Sequence, residues 1–333
     1  MEKLPGKLGM VNKNFWSKKN ILITGSSGLL GSWMVEKLLS LDANLIGIAK
    51  DKSMNTLLES KNILQGFKTF YLDISEFSKV EKVFSENEID ITFHLAAQTQ
   101  VIDALINPLE TFKSNIEGTW NLLELSRLFD RPIVVASSDK AYGSSEKLPY
   151  KENYPLEGEF PYEVSKSTTD LLSKTYSATY NLPVVTLRCG NIFGGGDLNF
   201  DRLIPGVINW LLNNEKPILR TNGDYMREWV YVEDVVNAYL GTGKALLENK
   251  NNHSAYNFSS GKKKSVIEIY EILCNKISGN FIEPEFKLSS EKEIKNQELD
   301  SSLINDDLNI YSLYQLNESL DETISWYKEY LPE

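Results

Sequence analysis

Tyr162 and Lys166 stand four residues apart in YEVSK, at what reads as the start of a helix, so their side chains share one face about one turn apart. An ammonium a few ångströms from a phenol favours the phenolate and lowers its pKa, which lets the tyrosine exchange protons near neutral pH. A serine hydroxyl nearby can hold the same substrate oxygen. Ser138 offers one, in the run Ser137, Ser138, Asp139, Lys140, directly beyond the apolar β-branched run Ile133 to Val135. Such a run reads as a buried parallel strand, and the ends of these strands are where an open α/β sheet binds its ligand. Together the residues are the parts needed to take a proton from an alcohol while its carbon gives up hydride to a nicotinamide. A Y-x-x-x-K spacing alone is more often a surface helix pair; the surrounding elements decide the matter.

Those elements begin with NILITGSSGLLG, Asn20 to Gly31, in which the apolar run Ile21 to Ile23 feeds a glycine-rich turn and a helix follows from Leu29 to Leu41. Gly25 permits the tight turn, Gly28 lets a pyrophosphate approach the backbone, and Gly31 lets helix and strand pack closely, so the helix N-terminus faces the phosphates. A second strand, Asn44 to Ala49, ends near the place of an adenosine ribose; Lys50, Asp51 and Lys52 there give a mixed signal between NAD and NADP. Thr69 to Asp73 and Ile89 to Leu95 read as further strands, the latter running into Ala96, Ala97 and Gln98, small residues that let a cofactor lie against the backbone. Asp73 suits either an adenine amine or a cap for the helix over 75–84, and His94 reads as a packed strand residue rather than a catalyst. The stretch Pro108 to Phe129 reads as one helix, with Phe112, Ile116, Trp120, Leu123 and Leu125 on a core face and a possible subunit contact.

The 35 basic and 46 acidic residues leave a net charge of −11, which argues against a nucleic-acid or anionic-membrane surface. Any anionic ligand must then be held by a few placed cations. Cys189 and Cys274 are far apart and read as buried thiols of a reducing cytoplasm, and with two histidines and no Cys/His cluster no metal site is expected. The opening residues lack a long apolar region, so they read as an extension rather than a signal peptide, and no apolar run approaches the ~20 residues of a membrane span. A soluble, cytoplasmic protein is expected.

The chain resembles the extended short-chain dehydrogenase/reductase family, and within it the nucleotide-sugar epimerases and dehydratases. The matching stretches are TGSSGLLG from Thr24, HLAAQ from His94, SNIEGT from Ser114, SSDKAYG from Ser137, YEVSK from Tyr162, RCGNIFGGGD from Arg188 and REWVYVEDV from Arg227, in family order. The resemblance implies an α/β fold: a Rossmann-type doubly wound parallel sheet with a smaller C-terminal substrate-binding lobe. It implies an extension over 1–18, a dinucleotide-binding domain over 19–191 plus 231–261, and the lobe over 192–230 plus 262–333. It also implies a tightly bound NAD or NADP, with NAD ahead, recycled within one turnover. Contacts to it would come from Gly25, Ser27, Gly28, Leu29, Gly31, Lys50, Asp73, Ile74, Leu95, Ala96, Ala97, Gln98, Asn115, Tyr162 and Lys166. Tyr162 would be the base toward the sugar 4-hydroxyl, Lys166 would bind the nicotinamide ribose, and Ser138 would share the hydroxyl. Asn115 resembles the family asparagine that supports the active-site helix. Gln100, Ser138, Asn191, Arg202, Leu203 and Arg227 would hold the nucleotide-diphosphate sugar, Asn191 and Arg227 at its pyrophosphate. A homodimer through the Pro108 and Tyr162 helices is also implied.

The pair after Ser138 separates the subfamilies. Family epimerases carry small or apolar residues there, whereas the common 4,6-dehydratases carry Asp-Glu, because elimination across C5 and C6 needs an acid for the departing hydroxyl and a base for the C5 proton. Asp139 keeps the acid; Lys140 departs from that pattern. An Asp-Lys pair resembles the CDP-glucose 4,6-dehydratases, as do FWSKKNILITG, the Gly31 to Trp33 stretch and the Gly194 to Asp197 stretch. There Lys140 would be partly desolvated and free to act as the base, or would only salt-bridge Asp139 or a phosphate. The alternatives are a 4-epimerase or 4-keto reductase on the same scaffold, and a non-catalytic dinucleotide sensor, which would have no need of an activated phenol.

Overall fold

Apolar β-branched runs flanked by glycine-rich turns become the buried strands of one sheet, as their composition requires. The computed structural model describes residues 13–52, 57–60, 63, 66–287 and 294–331. The strands in chain order are β1 (Asn20–Thr24), β2 (Asn44–Ala49), β3 (Lys68–Tyr71), β4 (Ile91–His94), β5 (Ile133–Ser138), β6 (Val184–Cys189), β7 (Asn191–Phe193), β8 (Ile218–Leu219), β9 (Met226–Tyr231), β10 (Ala255–Phe258), β11 (Lys263–Ser265) and β12 (Glu285–Phe286). Seven of them form a sheet in the order β10-β6-β5-β4-β1-β2-β3, every pair parallel. This is the doubly wound α/β architecture the sequence predicts. The order reverses between β1 and β4, and the crevice beyond their carboxyl ends is where such sheets bind ligands.

Helices cover both faces. Ile21, Ile23, Phe93 and Val134 meet Met34, Val35 and Tyr239 on one side, while Leu22, Ile48, Ile133 and Val135 meet Val80, Leu122 and Leu125 on the other. A further cluster joins the helices Leu203–Leu212, Val266–Ser278 and Leu316–Tyr330 through Ile208, Leu273, Ile324 and Tyr327. Beside it run the three-stranded sheet β11-β9-β7 and the pair β12-β8. Residues 1–12 of the expected extension lie outside the described residues; Trp16, further along it, is buried in the main core. Ile304 and Ile310, inside the stretch expected to build the lobe, also pack into that core.

The single helix expected from Pro108 to Phe129 is interrupted. Pro108–Phe112 and Gly118–Leu128 are α-helical, and Lys113–Glu117 between them is a π-helical turn. The wider turn rotates the following residues about the axis. Trp120, expected on the core face, is therefore 43% exposed, while Leu122 joins Leu123 and Leu125 in the interior.

Candidate active site

A cleft of about 820 Å³ opens at the switch point of the sheet and extends from the glycine turn after β1 to Trp210 and Arg220. At its dinucleotide end the chain turns at Gly25, whose φ is +71° and where a Cβ would come within 2.8 Å of the Ala96 backbone, which leaves no room for a side chain. A Cβ on Gly31 would overlap the Gly25 carbonyl oxygen, so helix and turn can pack only around hydrogen. The helix Leu29–Ser40 begins with no side-chain cap, and its first turn lines the cleft, a ready site for a diphosphate. The cradle, the small residues Ala96 and Ala97 and the volume fit a dinucleotide.

Of the expected cofactor contacts, Gly25, Ser27, Gly28, Leu29, Gly31, Lys50, Asp73, Ile74, Leu95, Ala96, Ala97, Tyr162 and Lys166 line the cleft. Gln98 and Asn115 stand behind its wall. Asn115 donates to the Gln98 carbonyl (2.9 Å) and to Ser165 Oγ (3.0 Å) and accepts from the Gln98 amide (2.7 Å), which ties the π-turn to the helix Pro161–Tyr180. Asp73 lines the cleft, its Oδ1 accepting from the Ser75 amide and hydroxyl ahead of the helix Phe77–Glu86, while its Oδ2 pairs with Lys50 at 3.4 Å. Burial pushes its carboxyl up, but the Ser75 donors and the Lys50 ammonium outweigh it and leave it below the ordinary value. His94 is buried between Thr24 and Thr119. Thr119 donates to the Asn115 carbonyl, so it accepts from His94 Nε2, and Nδ1 accepts from Thr24. Burial and the Lys166 charge hold this imidazole neutral, down at about 3.

The turn expected to carry the chemistry leaves β5 at Ser138 and coils as a short 3₁₀ segment through Asp139–Tyr142. Ser138 Oγ donates to Asp139 Oδ1 (2.8 Å), and Lys140 Nζ reaches the same oxygen (3.4 Å) and Asn191 Oδ1 (3.3 Å). Asp139 is buried behind the lining and Lys140 is partly buried in it. Tyr162 and Lys166 lie in the first turns of the helix Pro161–Tyr180. Pro161 occupies its first position, where the missing N–H costs nothing, and Glu163 accepts from the amides of Glu159 and Phe160. Lys166 Nζ donates to the Ala136 carbonyl at 2.9 Å.

The electrostatics correct one expectation. Burial pushes the Tyr162 phenol up to about 12 and Asp139 adds to the push; the charge opposing it is that of Arg202, helped by a hydrogen bond with Ser138. The sequence pointed to Lys166 for that task. Desolvation instead brings the Lys166 ammonium down to about 8, against the pull of Asp170 and Cys189. In the protein alone, burial outweighs the Arg202 charge and the Ser138 hydrogen bond, and the phenol keeps its proton.

The expected substrate residues Gln100, Ser138, Asn191, Arg202, Leu203 and Arg227 all line the cleft. Arg202 spans its mouth, donating to Asp197 Oδ2 and Thr99 Oγ1 at 3.0 Å each. Arg227 is buried, and its Nη1 donates to the carbonyls of Met226 and Lys295. Thr99, Asp197, Trp210 and Trp229 also line the cleft and were not anticipated, although Asp197 and Trp229 stood inside quoted motifs. Among the described residues no group of three His, Cys, Asp or Glu could hold a metal, both cysteines are buried and free, and no helix is long and apolar enough to cross a membrane.

The sequence profile of the NAD dependent epimerase/dehydratase family matches residues 21–258. The CDP-glucose 4,6-dehydratase of Salmonella typhimurium is 29% identical over 97% of this chain and 94% of its own length. The UDP-glucuronate 4-epimerase of Thermodesulfobacterium geofontis is likewise 29% identical, over 92% of this chain and 96% of its own. Among solved structures, the UDP-glucose 4-epimerase of Thermotoga maritima, determined with UDP-glucose, superposes with a TM-score of 0.86 at 26% identity, covering 94% of this chain and 100% of that one.

Proposed function

The chain belongs to the NAD dependent epimerase/dehydratase family, and from that premise we propose that it is a nucleotide-sugar 4,6-dehydratase, similar to the CDP-glucose enzymes, making a nucleotide-linked 4-keto-6-deoxy sugar. What supports this most is the group at the strand end: Asp139, just behind the lining, accepts from Ser138 and meets Lys140, so an acid and an amine stand beside the alcohol-handling pair. The chemistry a bound NAD would supply is two-electron oxidation of the sugar at C4 and return of the same hydride at C6, so that it is recycled within one turnover. Gly25, Gly28 and Gly31 would hold its pyrophosphate against the backbone, and Lys166 its nicotinamide ribose. NAD is preferred over NADP because Lys50, the basic residue best placed for a 2′-phosphate, turns to Asp73.

In this reading Tyr162 acts as the phenolate once cofactor and substrate are in place, its Oη taking the proton of the sugar 4-hydroxyl while Ser138 holds the oxygen. Once C4 is a ketone the C5 proton is acidic; Lys140 Nζ removes it, and Asp139 donates to the departing C6 hydroxyl, so water leaves. The proton held by Lys140 then returns to C5 as C6 receives the hydride taken from C4, which leaves the 4-keto-6-deoxy sugar. Asn191, Arg202 and Arg227 would face the diphosphate, Gln100 and Leu203 would border the substrate, and the division into dinucleotide domain and lobe would place the nucleotide between them. A homodimer through the interrupted stretch Pro108–Leu128 and the helix that starts at Pro161 is favoured by their exposed apolar residues Leu109, Trp120, Leu128 and Leu171. Two free buried thiols fit a cytoplasmic enzyme of deoxysugar and polysaccharide biosynthesis.

A 4-epimerase is the second reading, favoured by the contact of Lys140 with Asp139 and Asn191, which suits a binding residue as well as a base. Mass spectrometry after incubation with CDP-glucose, GDP-mannose, dTDP-glucose, UDP-glucose and UDP-N-acetylglucosamine decides between them. Loss of the mass of one water is expected from one of these; an isomer of unchanged mass would make the protein an epimerase and Lys140 a binding residue.

A further inference from the structure

Behind the catalytic turn lies a buried charge that the chemistry above does not use. Asp170, one turn beyond Lys166 on the same helix, is 4% exposed. Its Oδ1 accepts from Arg188 Nε (3.0 Å) and Nη2 (2.8 Å), and its Oδ2 accepts from the Ser137 hydroxyl. Ser137 on β5 and Arg188 on β6 are register partners, so one carboxylate bridges two paired strand residues and anchors both to the helix. Arg188 continues the chain: its Nη1 donates to Tyr142 Oη (2.6 Å), which donates to Asn257 Oδ1 (2.7 Å). Tyr142 closes the turn that begins at Asp139, so both ends of the turn are fastened to one ion pair.

Two other ties join the same elements, Lys166 to the Ala136 carbonyl and Ser167 Oγ to the Ala141 carbonyl at 2.7 Å. Neither grips the side chain next to Ser138. In a strand, successive side chains point to opposite faces, so holding Ser137 on the helix side fixes the backbone rotation that aims Ser138. A buried ion pair adds little net stability over an apolar pair of similar shape; what it supplies here is a fixed geometry. On the reading of Tyr162 and Ser138 given above, we propose that Asp170 is a positioning residue for the reaction: through Ser137 and Arg188 it sets the angle at which Ser138 and Tyr162 meet one substrate oxygen.

The test uses the full-length protein with whichever nucleotide sugar the wild type converts. Ser137→Ala removes only the hydroxyl that Asp170 holds. It is expected to lower kcat by about 10- to 100-fold, the scale of a small misplacement of reacting groups, with KM within about twofold and Tm nearly unchanged. Ser137→Thr keeps the hydroxyl and is expected to restore kcat. Asp170→Asn is expected to lose at least as much kcat at similar KM; where it fails to fold, because Arg188 is left buried and unpaired, the Ser137 pair decides alone. Wild-type kcat in Ser137→Ala, or a Ser137→Thr variant as slow as Ser137→Ala, overturns the role. Tyr162→Phe is the control: full turnover there would sink the assignment of Tyr162, which is a separate failure.

Discussion

A buried ammonium that titrates near neutrality limits the pH range over which the phenol beside it can work. Lys166 sits at about 8 because burial disfavours its charge. The shift is downward, so the ammonium is present below that value and is lost as pH rises through it. The kcat/KM of the nucleotide-sugar reaction is therefore expected to fall on an alkaline limb centred near pH 8, set by Lys166 rather than by Tyr162, whose own value lies near 12. A profile level through about pH 10, the range of an unshifted lysine, would show that Lys166 keeps its charge in the working enzyme. Tyr162→Phe should lower kcat by about 10²- to 10⁴-fold with little change in Tm. Tyr162, Ser138, Asp139 and Lys140 were legible in the sequence because helical spacing and the end of an apolar run place them. The Asp170–Arg188 pair was not, since its members are 18 residues apart and only the β5–β6 pairing brings Ser137 to them. Nor could spacing show that burial would set the sign of the Tyr162 shift.

At the scale of elements, the glycine turn separates two requirements that its sequence pattern merges. A Cβ at Gly31 would overlap the Gly25 carbonyl, whereas a Cβ at Gly28 would meet that same oxygen at 3.5 Å, an ordinary contact. Gly31 is thus needed by the fold, and Gly28 only by whatever approaches from the cleft. Gly31→Ala is expected to destabilise the protein by about 1–3 kcal/mol, the usual cost of overpacking, and to lose bound dinucleotide with it. Gly28→Ala should keep the wild-type Tm when stripped of cofactor and yet bind NAD more weakly. Calorimetry and NAD titration of the two variants check this; equal loss of Tm in both would mean the turn is tighter than its contacts indicate. The strand–turn–helix unit was readable because its glycines fall at the positions the turn demands. The break at Lys113–Glu117 was not, because the apolar spacing on either side suits one continuous helix and the π-turn is held from outside by Gln98 and Ser165.

At the scale of the whole molecule, Glu228 links the late part of the chain to the sheet beside the cleft, its Oε2 accepting from the Leu299 amide at 2.6 Å. Its neighbours on β9, Arg227 and Trp229, line the cleft, but Glu228 is buried at 2% exposure. Burial pushes its carboxyl up to about 7 from an ordinary 4.5, with Asp139 and Glu298 adding to the push while Leu299 and Ser259 oppose it. The folded value lies above the unfolded one. The stabilising term is therefore complete below the unfolded value and is lost as pH rises through about 7, a change on the order of 3 kcal/mol. Glu228→Gln keeps an acceptor for Leu299 and removes the titration. The wild type should lose Tm between about pH 5 and about pH 8, and Glu228→Gln should lose less and be at least as stable at the upper end. Glu152 and Glu163, also pushed up by burial, are present in both proteins and cancel in the comparison. Parallel Tm curves for the two proteins would mean that Glu228 is ionised in the fold throughout, with its cost met by groups other than Leu299. A flatter curve for the variant would identify this carboxyl as the group through which the joint between the sheet and residues 294–299 responds to pH.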